Sequence, residues 1–149
     1  MRAVVQRVTK SSVAVDGRTT GAIGKGLMVL LGVKKGDTAK DVEYISRKIS
    51  ALRVFDDEKG VMNKSIKEAG GDILIVSQFT LLGDVRKGNR PSYFDAAGPE
   101  EANALYREVI ASLQAEGLHV EEGVFQAEMA LDISNDGPVT ILLDSERSF

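Results

Sequence analysis

Two uninterrupted apolar runs constrain the fold of this chain more than any other feature. The first covers residues 27–33, and the second covers residues 73–76. Neither run alternates between apolar and polar residues, so a strand built from either one would be buried on both faces. We therefore predict two central strands of one sheet, the second of them extending over residues 73–82.

Further strands are indicated on both sides of this pair. Asp16-Gly17 is a strong hairpin signal, because both residues tolerate positive φ. A polar loop at residues 56–60 separates two more strand-like segments, and the C-terminal part of the chain adds others. The additional predicted strands cover residues 4–8, 12–15, 53–55, 61–62, 120–125, 129–134 and 139–143.

Two segments carry the signals of amphipathic helices. Thr38, with Asp41 three residues later, resembles a capping box and opens a helix over residues 38–51. Pro99 precedes two acidic residues, which suit the first turn of a second helix that Gly117 ends. The predicted buried faces are Val42, Ile45, Ile49 and Leu52 on the first helix and Ala102, Leu105, Val109 and Leu113 on the second.

Many strands and two main helices at irregular intervals predict an α+β fold with a largely antiparallel or mixed, barrel-like sheet. At 149 residues, the chain is expected to form a single domain over residues 1–149. A chain of this size buries roughly 70% of its unfolded surface, so its core needs no covalent staples.

The composition argues against several classes of chemistry. The chain has no Cys, which excludes disulfides and thiolate nucleophiles. The one His, His119, follows the second helix and is expected at the surface, so neither a Ser-His-Asp triad nor a catalytic zinc site is expected. The glycine-rich residues 21–26 do not open a helix and indicate a turn, and the acidic residues 56–58 fit a solvated loop better than a cation site. We expect no metal and no organic cofactor.

Charge and hydropathy constrain location and partners. The early charges of the N-terminus do not fit a signal peptide, and no apolar run approaches the ~20 residues that cross a bilayer, so a soluble, cytoplasmic protein without membrane contact is expected. The net charge of −3 argues against extended nucleic-acid contact but leaves recognition of one nucleotide end open. The basic residues 86–90 are interpreted as a solvated loop, although they follow the candidate site closely.

Two polar motifs interrupt the apolar pattern. Ser77-Gln78-Phe79-Thr80-Leu81 follows the second apolar run directly. The second motif is Asn135-Asp136-Gly137-Pro138-Val139-Thr140, in which glycine allows close backbone approach and proline allows a cis peptide bond at low cost. Such groups suit a small-molecule pocket, but a lone Thr hydroxyl without a base is a poor nucleophile. A hydrolase built this way would supply positioning and backbone N–H donors, and its substrate would bring part of the chemistry.

Together, the two motifs resemble the signature motifs of the D-aminoacyl-tRNA deacylase family, which includes the D-tyrosyl-tRNA deacylases. The resemblance extends over nearly the whole chain. It includes residues 5–8, 52–55, 62–63, 90–93 and 123–125.

The resemblance implies a homodimeric hydrolase of the ester between a D-amino acid and the terminal adenosine of tRNA, acting in translation quality control. It implies a cis bond between Gly137 and Pro138, whose carbonyl oxygens reach the substrate α-amino group in the partner subunit's site. That arrangement excludes L substrates and admits glycyl-tRNA. Arg7 would brace the Gly-Pro turn.

The same resemblance implies which residues line the substrate pocket. Ser77, Gln78, Phe79 and Thr80 would line the pocket for the aminoacyl-adenosine, with the N–H groups of Phe79 and Thr80 as an oxyanion site. Phe125, Ala127 and Met129 would close its wall. Because Thr80 has no neighbouring base, we prefer assistance by the ribose 2′-hydroxyl to attack by Thr80. Gln126 departs from the family pattern, in which a small residue commonly follows the Phe.

Two other functions fit the same residues. A small esterase acting on other acyl esters would be active without any tRNA end. A non-catalytic module for an adenosine-like ligand would bind tightly without turnover, and the shortage of acid-base groups is compatible with it.

Overall fold

The structure is a computed structural model that describes residues 1–149 and contains eight strands, three α-helices and one 3₁₀ helix. The strands are β1 (Arg2–Val15), β2 (Arg18–Ile23), β3 (Gly26–Gly32), β4 (Phe55–Asp56), β5 (Met62–Lys64), β6 (Asp72–Ser77), β7 (Val120–Glu122) and β8 (Ala130–Asp144). The α-helices are α1 (Ala39–Ala51), α2 (Ile66–Ala69) and α3 (Pro99–Ala115), and the 3₁₀ helix is Phe79–Leu82.

The two apolar runs form central strands of the sheet, as predicted, and the structure shows that they are adjacent and parallel. The main path of the sheet is β2-β1-β3-β6-β7, and β3 pairs with β6 from Gly26↔Asp72 to Leu31↔Ser77. Gly26 lies so close to β6 that a Cβ atom there would be 1.8 Å from the carbonyl oxygen of Asp72. Because the strands are parallel, both C-terminal ends lie at the same edge of the sheet.

β1 is one continuous strand, although the sequence predicted two. Its first half pairs antiparallel with β3 and its second half with β2. Register shifts after Gln6 and after Val8 mark irregularities in its ladder with β8, and irregularities of this type let a strand bend without ending. The predicted hairpin to β2 is confirmed, with Asp16 at φ 50° and Gly17 at φ 76°.

β8 runs antiparallel along the whole length of β1. The sequence predicted two strands here, residues 129–134 and 139–143, with a turn between them. In the structure, Thr140 pairs with Gln6 and Asn135 pairs with Val8, so residues 136–139 loop out opposite a single residue of β1. We call residues 136–139 the Gly-Pro bulge.

The sheet curves until its edges nearly meet. A Cβ atom on Gly21 of β2 would lie 2.8 Å from the carbonyl oxygen of Glu122 on β7, which shows how closely these strands approach. The predicted α+β fold with a mixed, barrel-like sheet is thereby confirmed. β7 is shorter than predicted, because the chain leaves the sheet at Gly123, and the small hairpin forms from β4 and β5 a few residues later than predicted.

The predicted helices are confirmed and a third is added. Thr38 and Asp41 form the capping box of α1, and Gly117, at φ 86°, follows the end of α3. The short α2 was not predicted, although Ser65 and Glu68 supply a second capping box. None of these helices is both long and apolar enough to span a lipid bilayer.

The helices cover one face of the sheet and leave part of the other face open. A cluster of 24 buried residues joins the helices to the sheet, and a cluster of 6 lies on the opposite face of the strands. On that opposite face, Leu30, Val4 and Leu142 lie side by side in register. Leu142 is 55% exposed. We call these three residues the open apolar row.

The contact between Gly26 and β6 predicts a large difference between two glycine variants. Gly26→Ala would force a methyl group into the backbone of Asp72 and is expected to lower the free energy of unfolding by about 3 kcal/mol. Gly24→Ala is the matched control, because no atom lies within 4 Å of the added methyl group, and its effect should stay within about 0.5 kcal/mol. Urea unfolding measures both, and equal midpoints for the two variants would contradict the close approach.

Candidate active site

The first polar motif lies on a tight turn at the C-terminal edge of the central strands. β6 ends at Ser77, so the strand predicted over residues 73–82 was wrong beyond that point. The backbone N–H of Gln78 still donates to the carbonyl oxygen of Leu31 at 2.7 Å, but the following residues form the 3₁₀ helix. Gly32 permits this turn, since a Cβ atom there would lie 3.0 Å from the carbonyl oxygen of Gln78.

A cavity of about 630 Å³ opens beside this turn. It lies between the ends of β3 and β6, the 3₁₀ helix, the start of α3 and the segment that joins β7 to β8. The predicted site residues that line it are Ser77, Gln78, Phe79, Thr80, Phe125, Ala127 and Met129. The remaining lining residues are Val33, Val76, Tyr93, Ala96, Ala97, Pro99, Ala102, Gln126 and Leu131.

No residue that lines the cavity carries a charged side chain. The hydroxyl oxygen of Thr80 accepts a hydrogen bond from the Gln78 Nε2 amide at 2.9 Å, and an amide cannot take the hydroxyl proton. The backbone N–H groups of Phe79 and Thr80 begin the 3₁₀ helix, so they have no acceptor within it. The cavity therefore offers hydrogen-bond donors and apolar walls without a strong acid or base.

Tyr106 on α3 supports the cavity wall from behind. Its ring centroid lies 6.0 Å from that of Phe125, and its hydroxyl donates to the carbonyl oxygen of Ile75 on β6 at 3.0 Å. Burial raises the pKa of this phenol well above its usual value, so Tyr106 remains a neutral donor. Sequence reasoning missed it, because the predicted helix face placed Leu105 in the core, where the structure has Tyr106 fully buried.

The other three predicted residues, Arg7, Gly137 and Pro138, do not line this cavity. Gly137 and Pro138 are exposed at the tip of the Gly-Pro bulge, and the peptide bond between them is cis, as the resemblance implied. Asn135 holds the base of the bulge, because its Nδ2 donates to the carbonyl oxygens of Arg7 at 2.9 Å and Val139 at 3.0 Å.

Arg7 fixes the bulge from inside the protein. Its Nη1 donates to the carbonyl oxygen of Val54 at 2.7 Å and lies 3.5 Å from Asp56 Oδ1, and its Nε lies 3.2 Å from Asp136 Oδ2. A Cβ atom on Gly137 would be 2.9 Å from Arg7 Nη2, so only glycine fits there without displacing the guanidinium. These contacts place Arg7 against the Gly-Pro bulge, and its bracing role stays a prediction.

The remaining candidates for chemistry lie elsewhere. His119 is at the surface, as expected, with Nε2 2.8 Å from Glu121 Oε2. Asp57, in the acidic run, accepts hydrogen bonds from the backbone N–H groups of Val61 and Lys59, which lower the pKa of its carboxyl group. The structure contains no group of three or more His, Asp or Glu side chains placed to hold a metal ion.

Gln126 lines the cavity in an unusual backbone conformation. Its φ is 66°, in the left-handed region that costs most residues roughly 1–2 kcal/mol and glycine much less. Of the two small residues that the family resemblance gives at this position, glycine fits the observed backbone without strain and alanine does not. Gln126 meets the same backbone requirement at some cost and leaves the wall in place.

The conformation of Gln126 predicts opposite effects of two substitutions. Gln126→Gly should keep or raise the free energy of unfolding, by up to about 1 kcal/mol, because glycine adopts positive φ freely. Gln126→Val should lower it by about 1–2 kcal/mol, because a β-branched side chain resists this φ. Glu128→Val, at an exposed neighbour without positive φ, is the control. Thermal unfolding measures all three, and a Val effect equal at both positions would contradict the assignment.

Comparison with known proteins agrees with the resemblance. The profile of the family described as D-Tyr-tRNA(Tyr) deacylase matches residues 4–144. D-aminoacyl-tRNA deacylases of Anaeromyxobacter dehalogenans and Desulfitobacterium hafniense are 59% and 56% identical to this chain, over 100% of both sequences in each case.

Two solved structures share the fold of this chain. One described as c-Myc DNA Unwinding Element Binding Protein has a TM-score of 0.91 at 46% identity and covers 97% of this chain and 98% of its own. Another, described as a probable eukaryotic D-amino acid tRNA deacylase, shares the fold at a TM-score of 0.80 and 19% identity, covering 95% and 97%. The chain belongs to the D-Tyr-tRNA(Tyr) deacylase family.

Proposed function

We propose that this chain hydrolyses the ester bond between a D-amino acid and the 3′-terminal adenosine of tRNA. Membership of the family makes it an aminoacyl-tRNA deacylase, which is an ester hydrolase. The observation that carries the proposal is the uncharged cavity, whose polar groups come mainly from the motif Ser77 to Thr80. An aminoacyl ester is activated enough to be cleaved by positioning and hydrogen bonding, without a charged catalytic group.

The reaction follows from the groups that the cavity supplies. The carbonyl oxygen of the ester accepts hydrogen bonds from the N–H groups of Phe79 and Thr80. These bonds strengthen as negative charge develops on that oxygen. Water attacks the carbonyl carbon, the bond to the ribose oxygen breaks, and the proton lost by water passes to the leaving oxygen. The neighbouring ribose 2′-hydroxyl relays this proton, since no side chain of the cavity is a suitable base.

A homodimer completes the site. The Gly-Pro bulge is exposed, lies outside the cavity of its own chain and is braced by Arg7. The open apolar row supplies the surface on which a second copy packs. A two-fold interface delivers the bulge of each subunit to the cavity of the other.

The bulge reads chirality in this arrangement. The carbonyl oxygens of Gly137 and Pro138 accept hydrogen bonds from the substrate α-amino group, and their backbone occupies the space where an L side chain would lie. Selection then works by exclusion of the wrong substrate. The whole chain, residues 1–149, acts as one domain in the cytoplasm, where its tRNA substrate is found, and needs no metal or organic cofactor.

The test of the function is also a test of exclusion. Purified protein should deacylate D-tyrosyl-tRNA at least about 10²-fold faster than L-tyrosyl-tRNA, the ratio expected from roughly 3 kcal/mol of steric cost. Glycyl-tRNA, which has no side chain to exclude, should be hydrolysed, and L-alanyl-tRNA should be refused. Activity on esters without a tRNA end would favour a general esterase, and tight binding of adenosine without turnover would favour a binding module. If glycyl-tRNA resisted hydrolysis while D-aminoacyl-tRNA was cleaved, the exclusion model would be wrong. The pocket would then have to bind the D side chain directly.

The role of Thr80 is tested by removing its hydroxyl. Thr80→Ala should lower kcat by about tenfold or less, because it removes one hydrogen bond worth about 0.5–1.5 kcal/mol. Thr20→Ala, which removes a hydroxyl bonded to Val13 outside the cavity, is the control. Replacing the terminal adenosine of the substrate by 2′-deoxyadenosine should lower kcat of the wild-type protein more than either substitution does. A loss near 10⁴-fold for Thr80→Ala, with the fold intact, would instead support a covalent intermediate on Thr80.

The homodimer is tested on the open apolar row. Leu142→Lys should dissociate the dimer and abolish deacylation, because it places a charge in the centre of the interface while the side chain remains solvated in the monomer. Val61→Lys, at a residue that is 56% exposed and outside the main sheet, should change neither property. Sedimentation at micromolar concentration measures the state, and a fully active wild-type monomer would refute the proposed assembly.

A further inference from the structure

The loop between the 3₁₀ helix and α3 places exposed rings at the mouth of the cavity. Tyr93 lines the cavity and lies edge-to-face with Phe79, with ring centroids 5.0 Å apart. The next residue, Phe94, is 77% exposed, and Phe79 is 55% exposed. Large apolar side chains that cluster in solvent beside a cavity mark an interaction surface.

This loop is ordered by hydrogen bonds of its own. Asp84 and Ser92 exchange two backbone hydrogen bonds, of 2.8 and 2.9 Å, which close residues 85–91 into a tip. The Asp84 carboxylate binds the guanidinium of Arg86 through Nε at 3.0 Å and Nη2 at 2.7 Å. These bonds lower the pKa of Asp84 to about 2, so the pair remains ionised and mutually neutralised.

The cations that remain are unpaired. Lys87 and Arg90 on the tip have no carboxylate within 4.0 Å, and neither has Lys35. The ammonium group of Lys35 lies 4.0 Å from the ring centroid of Phe94. A chain with a net charge of −3 thus carries one free cation against an exposed ring beside its cavity and two more on the tip of the loop that carries this ring.

We propose that this surface, formed by Lys35, Lys87, Arg90 and Phe94, binds the single-stranded RNA immediately upstream of the terminal nucleotide. The inference rests on the proposed function, which puts the terminal aminoacyl-adenosine in the cavity. The preceding nucleotides must leave through the mouth, and Phe94 is one residue beyond its rim. A base stacks on the open part of the Phe94 ring, and the phosphates lie near Lys87 and Arg90. Free cations beside an exposed ring are the combination that binds single strands.

The test compares two substrates of the full-length protein, D-tyrosyl-tRNA and the minimal ester D-tyrosyl-adenosine. Lys87→Ala/Arg90→Ala should raise KM for the tRNA substrate, lowering kcat/KM about tenfold, and leave cleavage of the minimal ester unchanged. The salt dependence of log kcat/KM on tRNA should become shallower by about 1.4, from about 0.7 for each lost phosphate contact on a single strand.

Further variants distinguish the contribution of the Phe94 ring from that of the cations. Phe94→Ala should lower kcat/KM on tRNA about tenfold without changing the salt slope, and Phe94→Trp should restore it. Lys48→Ala/Lys67→Ala, on the surfaces of α1 and α2, removes the same charge and is the control. Because all of these side chains are at the surface, the variants should unfold at the wild-type temperature.

Each contrary outcome is distinct. Wild-type kinetics on tRNA for both loop variants would overturn the inference and leave the proposed function standing. Equal losses on both substrates, or the same loss in the helix control, would also overturn it. If the wild type cleaves neither substrate, the proposed function fails, and binding of a short oligoribonucleotide to wild type and Phe94→Ala then decides the inference by itself. Competition by polyglutamate as strong as by that oligoribonucleotide would assign the surface to an acidic protein instead.

Discussion

The parallel pairing of β3 and β6 is the constraint on which the rest of the structure depends. Both strands are apolar on both faces, so they must lie at the centre of the sheet with a layer on each side. Their register is held by the close approach of Gly26 to Asp72, and their direction brings Gly32 and Ser77 to one edge. The cavity lies at that edge because two buried strands end there together, and Gly32 leaves room for the chain to fold back over them.

The chemistry of the site follows from what the cavity lacks. A charged catalytic group buried among apolar residues would need a partner charge or additional hydrogen bonds to offset its desolvation. This chain avoids that cost by presenting backbone N–H groups from a short helical turn, which carry partial charge and are fixed by the fold. Such donors stabilise a developing oxyanion without reorganising, but they cannot accept a proton. In the proposed reaction, proton transfer is therefore left to the ribose hydroxyl of the substrate.

The sequence predicted the central strands, both main helices and the first hairpin, because local rules decide those features. Seven of the residues that line the cavity were instead named through the family resemblance. Prediction from local pattern failed where tertiary contacts override it. Phe79, Leu81 and Leu82 prolong the apolar run, yet the strand stops at Ser77, because the space beside Gly32 is available only in the folded sheet. Tyr106 was missed because its buried hydroxyl needs the carbonyl group of Ile75, 31 residues away in the chain. β8 was divided at its Gly-Pro pair because a four-residue bulge inside a strand has the local sequence of a turn.

The position of the Gly-Pro bulge inside a strand brings an exposed element into contact with a buried side chain. Arg7, on the neighbouring strand, is almost completely buried and brings together the carbonyl group of Val54, the carboxylate of Asp56 and the carboxylate of Asp136. A buried guanidinium needs opposite charges and acceptors close to it, so its partners draw the segments that carry them together. The small β4–β5 hairpin, which takes no part in the main sheet, thereby acquires a role, since two of the three groups come from β4 and the residue before it. The bulge is oriented by an interior charge and by the long ladder on either side of it, and a backbone held in this way can discriminate by shape.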